Sequence, residues 1–330
     1  MKRTLLLLTT AALVLLAGCG PRPQPQVQDP PAAEEPLRLE TLTVELQREG
    51  RDAGELMKAV RELAEPLRQA LANRGVEAER VTLTVGASPA ATVQAVEEGG
   101  VDVAFLPAER LAAQETEAVV TLVSGPLFRN QGEEIENWNR EPAEALPTLG
   151  YRTLICAAPT EYGRNLAGRK EMTWEELCRA RWGVLAKDSL PGYRAVDLWL
   201  ADHYEGDRLS DLPDVTEYGD FEALLRAAAN GEIDLFPMEE GVRIDWAEMP
   251  VLALTDWFYD MAAVVCPDNG VLTDARFAAA LAEAVNDLGS SPDFGTETAQ
   301  LAHAVLGREN YAPAPEGALN AMRRLVTIEG

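Results

Sequence analysis

Apolar positions along the chain fall into short runs that switch between two periods. Leu39 to Leu46 alternates with period two, as a half-buried strand does. Ala53 to Asn73 then places Leu56, Val60, Leu63, Leu67, Ala70 and Leu71 on one helical face. Val81 to Val85 predicts the next strand and Gly86-Ala87-Ser88-Pro89 a turn. Ala90 to Glu98 predicts a helix stopped by Gly99-Gly100, and Val101 to Leu106 a third strand. Strands alternating with helices of this length predict βαβ units, an α/β protein and a mostly parallel sheet, with ligands at the carboxyl ends of its strands.

The plan then returns. Ala91 to Pro107 (ATVQAVEEGGVDVAFLP) is echoed by Glu222 to Met238 (EALLRAAANGEIDLFPM): a helix, a glycine, then an apolar-Asp-apolar strand. This fits two lobes built alike; it also fits a chance likeness, because glycine is the favoured helix stop. Between the halves, Trp182 to Ala186 alternates as a strand, and Val196, Leu198, Trp199 and Leu200 recur at helical spacing. Lys187 to Arg194 therefore joins a strand's carboxyl end to a helix's amino end. Unpaired N–H groups in a helix's first turn suit an anionic or strongly accepting group, which makes Ser189, Gly192 and Tyr193 candidate ligand contacts. The alternative is an ordinary βα loop with serine as N-cap and proline in the first turn.

The amino end, MKRTLLLLTTAALVLLAGC, has two basic residues, an apolar run too short to span a bilayer comfortably, and small residues before Cys19. That is an export signal. It closely resembles the lipobox of bacterial lipoproteins, which implies cleavage before Cys19 and a lipid on its thiol; the alternative is a plain secretory peptide. Residues 20–36 are rich in Pro and Gln and poor in apolar side chains, so they read as a flexible tether.

From Leu37 onward about 290 residues remain, enough for two lobes with a sizeable core. The formal charge is −25, and losing Lys2 and Arg3 with the signal makes it −27. Nucleic acid and anionic membrane surfaces are therefore poor partners. Apart from Cys19 there are Cys156, Cys178 and Cys266, with Cys156 and Cys266 at the ends of strand-like runs where buried free thiols are expected. With two histidines, His203 and His303, and no CxxC, a zinc site is not expected. No catalytic residues are assigned, since no nucleophile, base and orienter assemble and no phosphate loop or nucleotide fingerprint is present.

The lipobox, the Ser88-Pro89 turn with its helix before Gly99-Gly100-Val101-Asp102, the Ser189-Leu190-Pro191-Gly192-Tyr193 turn, Asn230-Gly231-Glu232-Ile233-Asp234 and the closing region Val251 to Val305 together resemble one family. It is the substrate-binding lipoproteins of phosphate, phosphite and phosphonate ABC transporters. The resemblance implies a two-lobed, type II periplasmic-binding-protein-like fold with mostly parallel mixed sheets and a two-crossover hinge. It implies a small-molecule ligand, an ABC transporter permease as partner, cleft closure, and a lipid-anchored extracytoplasmic location. The family's Ser-Thr-Ser-Gly-Tyr turn is Ser189-Leu190-Pro191-Gly192-Tyr193 here; two hydroxyl donors and one backbone N–H are gone. Pro89 stands where an aromatic is common and Phe221 where a histidine is common. These departures point away from a phosphonate and toward a neutral or more apolar solute held by Trp182, Tyr193, Phe221, Trp257 and Tyr259.

Ligand contacts are thus expected from Ser88, Tyr151, Ser189, Gly192, Tyr193, Phe221, Glu239, Asp256 and Trp257, with Glu239 placed to accept from a protonated or amine group. Arg129 to Glu144 reads as a polar surface loop. The expected lobes are residues 37–125 plus 256–330 and residues 126–255. Two alternatives stay open: an enzyme on the same bilobal scaffold, acting on a small metabolite, and the ligand-sensing input of a membrane receptor.

Overall fold

Alternation makes β1 (Leu37–Gln47) a strand that buries Leu42, Val44 and Leu46, and the helical stripe after it becomes α1 (Ala53–Ala72), with Val60, Leu63 and Leu71 buried. The computed structural model describes residues 35–289, 306 and 310–329, apart from positions 48–52, 126, 131, 140–145, 170 and 247. The signal sequence with Cys19, nearly all of the tether, His303, and the Ser291 to Gly295 stretch with the helix expected after it lie outside the described residues.

The chain continues through β2 (Val76–Gly86), α2 (Pro89–Glu97), β3 (Val103–Pro107), α3 (Ala108–Ala112) and β4 (Val119–Ser124). Next come β5 (Leu127–Asn130), α4 (Ile135–Trp138), β6 (Leu146–Leu149), β7 (Thr153–Ala157), α5 (Glu161–Ala167), α6 (Trp174–Arg179) and β8 (Trp182–Val184). A π-helical turn over Leu190–Arg194 leads into α7 (Ala195–His203), then β9 (Val215–Glu217), α8 (Phe221–Ala229) and β10 (Leu235–Glu239). A 3-10 segment over Glu240–Trp246 precedes β11 (Val251–Leu254), β12 (Met261–Val265), α9 (Ala275–Gly289), β13 (Tyr311–Pro313) and α10 (Asn320–Glu329).

Two main sheets result, ordered β13-β4-β12-β3-β1-β2 and β11-β7-β10-β8-β9. In the first, β1, β2, β3 and β4 run one way and β12 and β13 the other; in the second, only β7 opposes the rest. Each sheet carries a reversed strand between its third and fourth forward strands: β12 between β3 and β4, β7 between β10 and β11. The second sheet is buried on both faces, as parallel-rich sheets are. Leu154 and Cys156 point into one apolar cluster with Phe236 and Met238, while Ile155 and Ala157 join Trp182, Val184 and Leu235 in another.

This shared topology explains the echo. α2–β3 and α8–β10 occupy equivalent places, and their two aspartates do the same work. Asp102 Oδ2 accepts from Thr43 N at 2.7 Å while Asp102 N donates to Thr43 O at 3.0 Å. Asp234 Oδ2 accepts from Arg181 N at 3.0 Å while Asp234 N donates to Arg181 O at 2.7 Å. Each carboxylate ties the start of the third strand to the first strand of its sheet or to the residue leading into it.

Two segments link the sheets. One runs through Gly150, Tyr151 and Arg152; the other runs from Thr255 to Asp260. They pair as Tyr151 N donates to Phe258 O at 3.0 Å and Phe258 N to Tyr151 O at 2.8 Å. Gly150 sits at φ +95, and a Cβ there would lie 2.9 Å from Phe258 O, so only glycine lets the crossovers approach this closely. The Arg129 to Glu144 stretch departs from a plain surface loop. β5 and β6 form a hairpin, Trp138 is buried with Nε1 donating to Gly132 O at 2.9 Å, and Asn139 pairs with the Val251 backbone by two 2.8 Å bonds.

Candidate functional site

Carboxyl ends of the forward strands converge with the crossovers, and side chains from both sheets meet there. β3 ends at Pro107 and runs straight into Glu109 on α3. Asp260, one residue before the Met261 that faces Pro107, stands at the same end of the first sheet. From the second sheet come Glu239, the last residue of β10, and Arg194, at the end of the π-helical turn. Tyr151 lies among them.

Their electrostatics are mutual. Burial raises the Tyr151 phenol above its ordinary value, and the charges of Asp260, Glu109 and Glu239 push it further, with Arg194 opposing. Burial also raises the Glu239 carboxyl, and Asp260 adds to the rise. Arg194 Nη1 meets Glu109 Oε1 at 3.2 Å, a salt bridge between a helix of the first sheet and the turn of the second. Buried Arg152 donates through Nε and Nη2 to Thr255 O at 3.0 and 2.8 Å and through Nη1 to Glu133 at 2.9 Å, with its guanidinium 4.5 Å from the Trp257 ring centroid. Both guanidiniums are therefore engaged, and what faces Tyr151 is mainly carboxylate.

Of the residues expected from sequence, Tyr151 and Glu239 come together here. Ser189 caps the π-helical turn, its Oγ accepting from Gly192 N at 3.2 Å. Gly192 is buried, and a Cβ on it would sit 2.5 Å from Leu185. Tyr193 is half-buried beside a cavity of about 540 Å³ that Glu109, Lys187, Arg194 and Arg208 also line. Trp257 donates to Glu133 at 3.2 Å, on the crossover rather than among the carboxylates. Asp256 pairs with Arg324 of α10, which also reaches Asp202 of α7 at 3.0 Å, beside a second cavity of about 370 Å³. Ser88 is exposed and caps α2 by accepting from Ala91 N at 3.3 Å. Phe221 packs against the second sheet's core. Trp182 is fully buried, with Nε1 donating to Leu177 O, and Tyr259 is 6 % exposed in the first sheet's core, so the structure puts both in packing.

Several site residues escaped the sequence reading. Asp260, Glu109, Arg194 and Arg152 are charged residues flanking apolar strands, and only the topology shows which strand ends lie together. A polar network at the carboxyl ends of β1 and β2 was also missed: Gln47 Nε2 donates to Thr92 Oγ1 at 2.7 Å, and Glu45 accepts from Thr84 and Thr92. Its signal was present in Glu45 and Gln47, two polar residues at the end of a strand whose other face there carries Leu42, Val44 and Leu46.

Against known proteins, residues 51–316 match the family model for the phosphonate periplasmic substrate-binding protein of ABC transporters. Solved structures are similar at low identity. PhnD1 of Prochlorococcus marinus in complex with methylphosphonate is 11 % identical, with 87 % of this chain and 97 % of that one covered and a TM-score of 0.34. A binding protein component of an ABC phosphonate transporter from Pseudomonas aeruginosa is 13 % identical, covering 88 % and 86 %, with a TM-score of 0.34. Transferrin 1 from Manduca sexta is 10 % identical, covering 88 % of this chain and 46 % of that one, with a TM-score of 0.54. No curated protein matches the chain.

Proposed function

The chain belongs to the phosphonate periplasmic substrate-binding family of ABC transporters, and from that premise we propose that it captures a solute bearing an ammonium or similar donor group. The observation that carries this is the carboxylate set around Tyr151: Glu239, Asp260 and Glu109 all act on its phenol, and Arg194 is already bridged to Glu109. An oxyanion there would meet like charge, whereas a donor would find acceptors. The Leu190 and Pro191 exchanges, which remove hydroxyl donors, support the same reading.

The lobes of this reading are residues 37–125 plus 256–330 and residues 126–255, hinged where Tyr151 pairs with Phe258. Solute touching both lobes favours the closed state by its extra affinity for it, and a permease reads the closure. Cys19 carries the lipid that holds the protein at the outer face of the membrane. Binding occurs without turnover of the solute.

Calorimetry on the mature protein with methylphosphonate, inorganic phosphate, ethanolamine and putrescine tests the solute class. The phosphorus oxyanions are expected to bind no tighter than about millimolar, roughly −4 kcal/mol. At least one amine is expected to bind more tightly and to lose that advantage in Glu239→Gln. A micromolar dissociation constant for methylphosphonate or phosphate, with none for the amines, overturns the proposal.

A further inference from the structure

Glu240, the first residue after β10, is 3 % exposed, and among the described residues neither of its carboxylate oxygens has a hydrogen-bond partner. A buried polar group left this way needs an explanation. The β10–β7 ladder pairs Glu239 with Thr153, and continuing it by one position sets Glu240 opposite Arg152. Among the described residues, Arg152 is the charged group that acts on Glu240. Glu239, on the alternate side of the strand, is coupled instead to Asp260. Arg243, on Glu240's own 3-10 segment, donates to the Trp246 and Trp138 carbonyls. β5, which packs on that segment, carries Arg129 as its one charged residue, and Glu133 is bonded to Arg152.

Arg152 is the side chain that fastens the crossovers to each other. It belongs to one of them, holds Thr255 O of the other with two donors, and lies over Trp257 of that same segment. A neutral Glu240 can stay in its pocket beside this clamp. An ionised Glu240 cannot stay without a partner, and the guanidinium within reach is already shared between Thr255 and Glu133.

We propose that Glu240 is a proton-operated element of the hinge: neutral, it leaves Arg152 clamping the two crossovers; ionised, it competes for that guanidinium and changes the angle between the lobes. One proton leaves the Glu240 carboxyl for solvent, and no other bond is made or broken covalently. Burial raises this carboxyl from 4.5 to about 7, with Arg152 opposing the rise, so the change falls near neutral pH. The device is independent of which solute the cleft takes and is tested without one.

Spin labels at Glu62→Cys and Glu222→Cys, exposed positions on α1 and α8, report the distance between lobes in a Cys178→Ser background. Between about pH 5.5 and about pH 8.5 the distance distribution is expected to shift with a one-proton midpoint near neutrality. Glu240→Gln is expected to keep the low-pH distribution throughout. A distribution that does not move with pH, or a Glu240→Gln protein that titrates like its parent, overturns the proposal. Infrared spectroscopy of the unsubstituted protein serves if the variant fails to fold. A protonated-carboxyl carbonyl band must be present at the acid end and vanish as pH rises, and a spectrum without it overturns the proposal as well.

Discussion

Asp102 and Asp234 fill the same place in the two sheets, yet exchanging each for asparagine should have very different effects. Asp234 accepts from Arg181 Nε at 2.9 Å, Arg181 Nη2 at 2.8 Å and Thr160 Oγ1 at 2.6 Å as well as from the Arg181 backbone. The carboxyl is held below its ordinary value by those bonds, Arg181 foremost, although burial opposes them. Among the described residues Asp102 has the Thr43 N–H alone, and burial raises its carboxyl. Asparagine can still accept a backbone N–H through its amide oxygen, so Asp102→Asn should change stability by no more than about 0.5 kcal/mol. Asp234→Asn loses the charge-assisted pair. Bonds to a charged group contribute about 1.5–3 kcal/mol, and the Arg181 side chain is 42 % exposed, so water recovers part of it. A net cost of about 1–2 kcal/mol follows, a fall in Tm of about 2–3 °C for a protein of this size.

The pH dependence has opposite signs at the two positions. A lowered carboxyl stabilises fully above its unfolded value and loses that contribution as pH falls through the folded one. The deficit of Asp234→Asn should therefore shrink on acidification below about pH 4. Ionised Asp102 opposes folding, and that opposition is relieved as pH falls through its raised value. Urea melts and calorimetric scans of both variants at neutral and acid pH measure this. Equal deficits at pH 7, or an Asp234→Asn deficit that grows with acid, would refute the account of the paired motif.

Two further substitutions probe the ends of the mechanism. Cys19→Ala should move the protein from the membrane fraction to the soluble extracytoplasmic fraction with its melting curve unchanged, as fractionation and calorimetry would show; continued membrane retention counts against lipid anchoring. Gly192→Ala puts a methyl group where Leu185 already lies 2.5 Å away, so it should cost about 1–3 kcal/mol in a urea melt. A neutral effect would mean that the π-helical turn yields easily.

Much of the fold could be read from periodicity because its strands and helices are local patterns. β1, α1, α2, β3, β8 and α7 appear where the apolar residues placed them, within a residue or two, whereas β2 starts at Val76, five residues before the expected Val81. The echo between residues 91–107 and 222–238 could be noticed in sequence, but its meaning lies in partner residues far away, Thr43 and Arg181, which no local window contains. The candidate site was harder for the same reason. Tyr151 and Glu239 stand out as polar residues at crossovers and strand ends. Asp260 and Glu109 look like ordinary solvated carboxylates until the antiparallel pairing of β12 with β3 brings them to one end of the sheet. Trp182 misled in the other direction: a large aromatic beside a candidate turn suggests a ligand platform, but alternation along β8 sends it into the core.

The reversed strand in the middle of the first sheet governs how the molecule can be made. β7 to β11 are consecutive along the chain, so the second sheet holds all its strands as soon as β11 has been synthesised. β3 and β4 have no ladder to each other; β12 joins them, and it is translated only after the whole second sheet. Until then β3 presents an open strand edge, a template for pairing with another chain, and β4 has neither of its ladder partners, since β12 and β13 both come later. Vectorial synthesis therefore completes the later-encoded lobe first, and the earlier one closes through a long-range step of the slow kind. A truncation ending before Met261 would leave the β3 edge open and β4 without a ladder, whereas an isolated segment from β7 to β11 would retain every strand of its sheet.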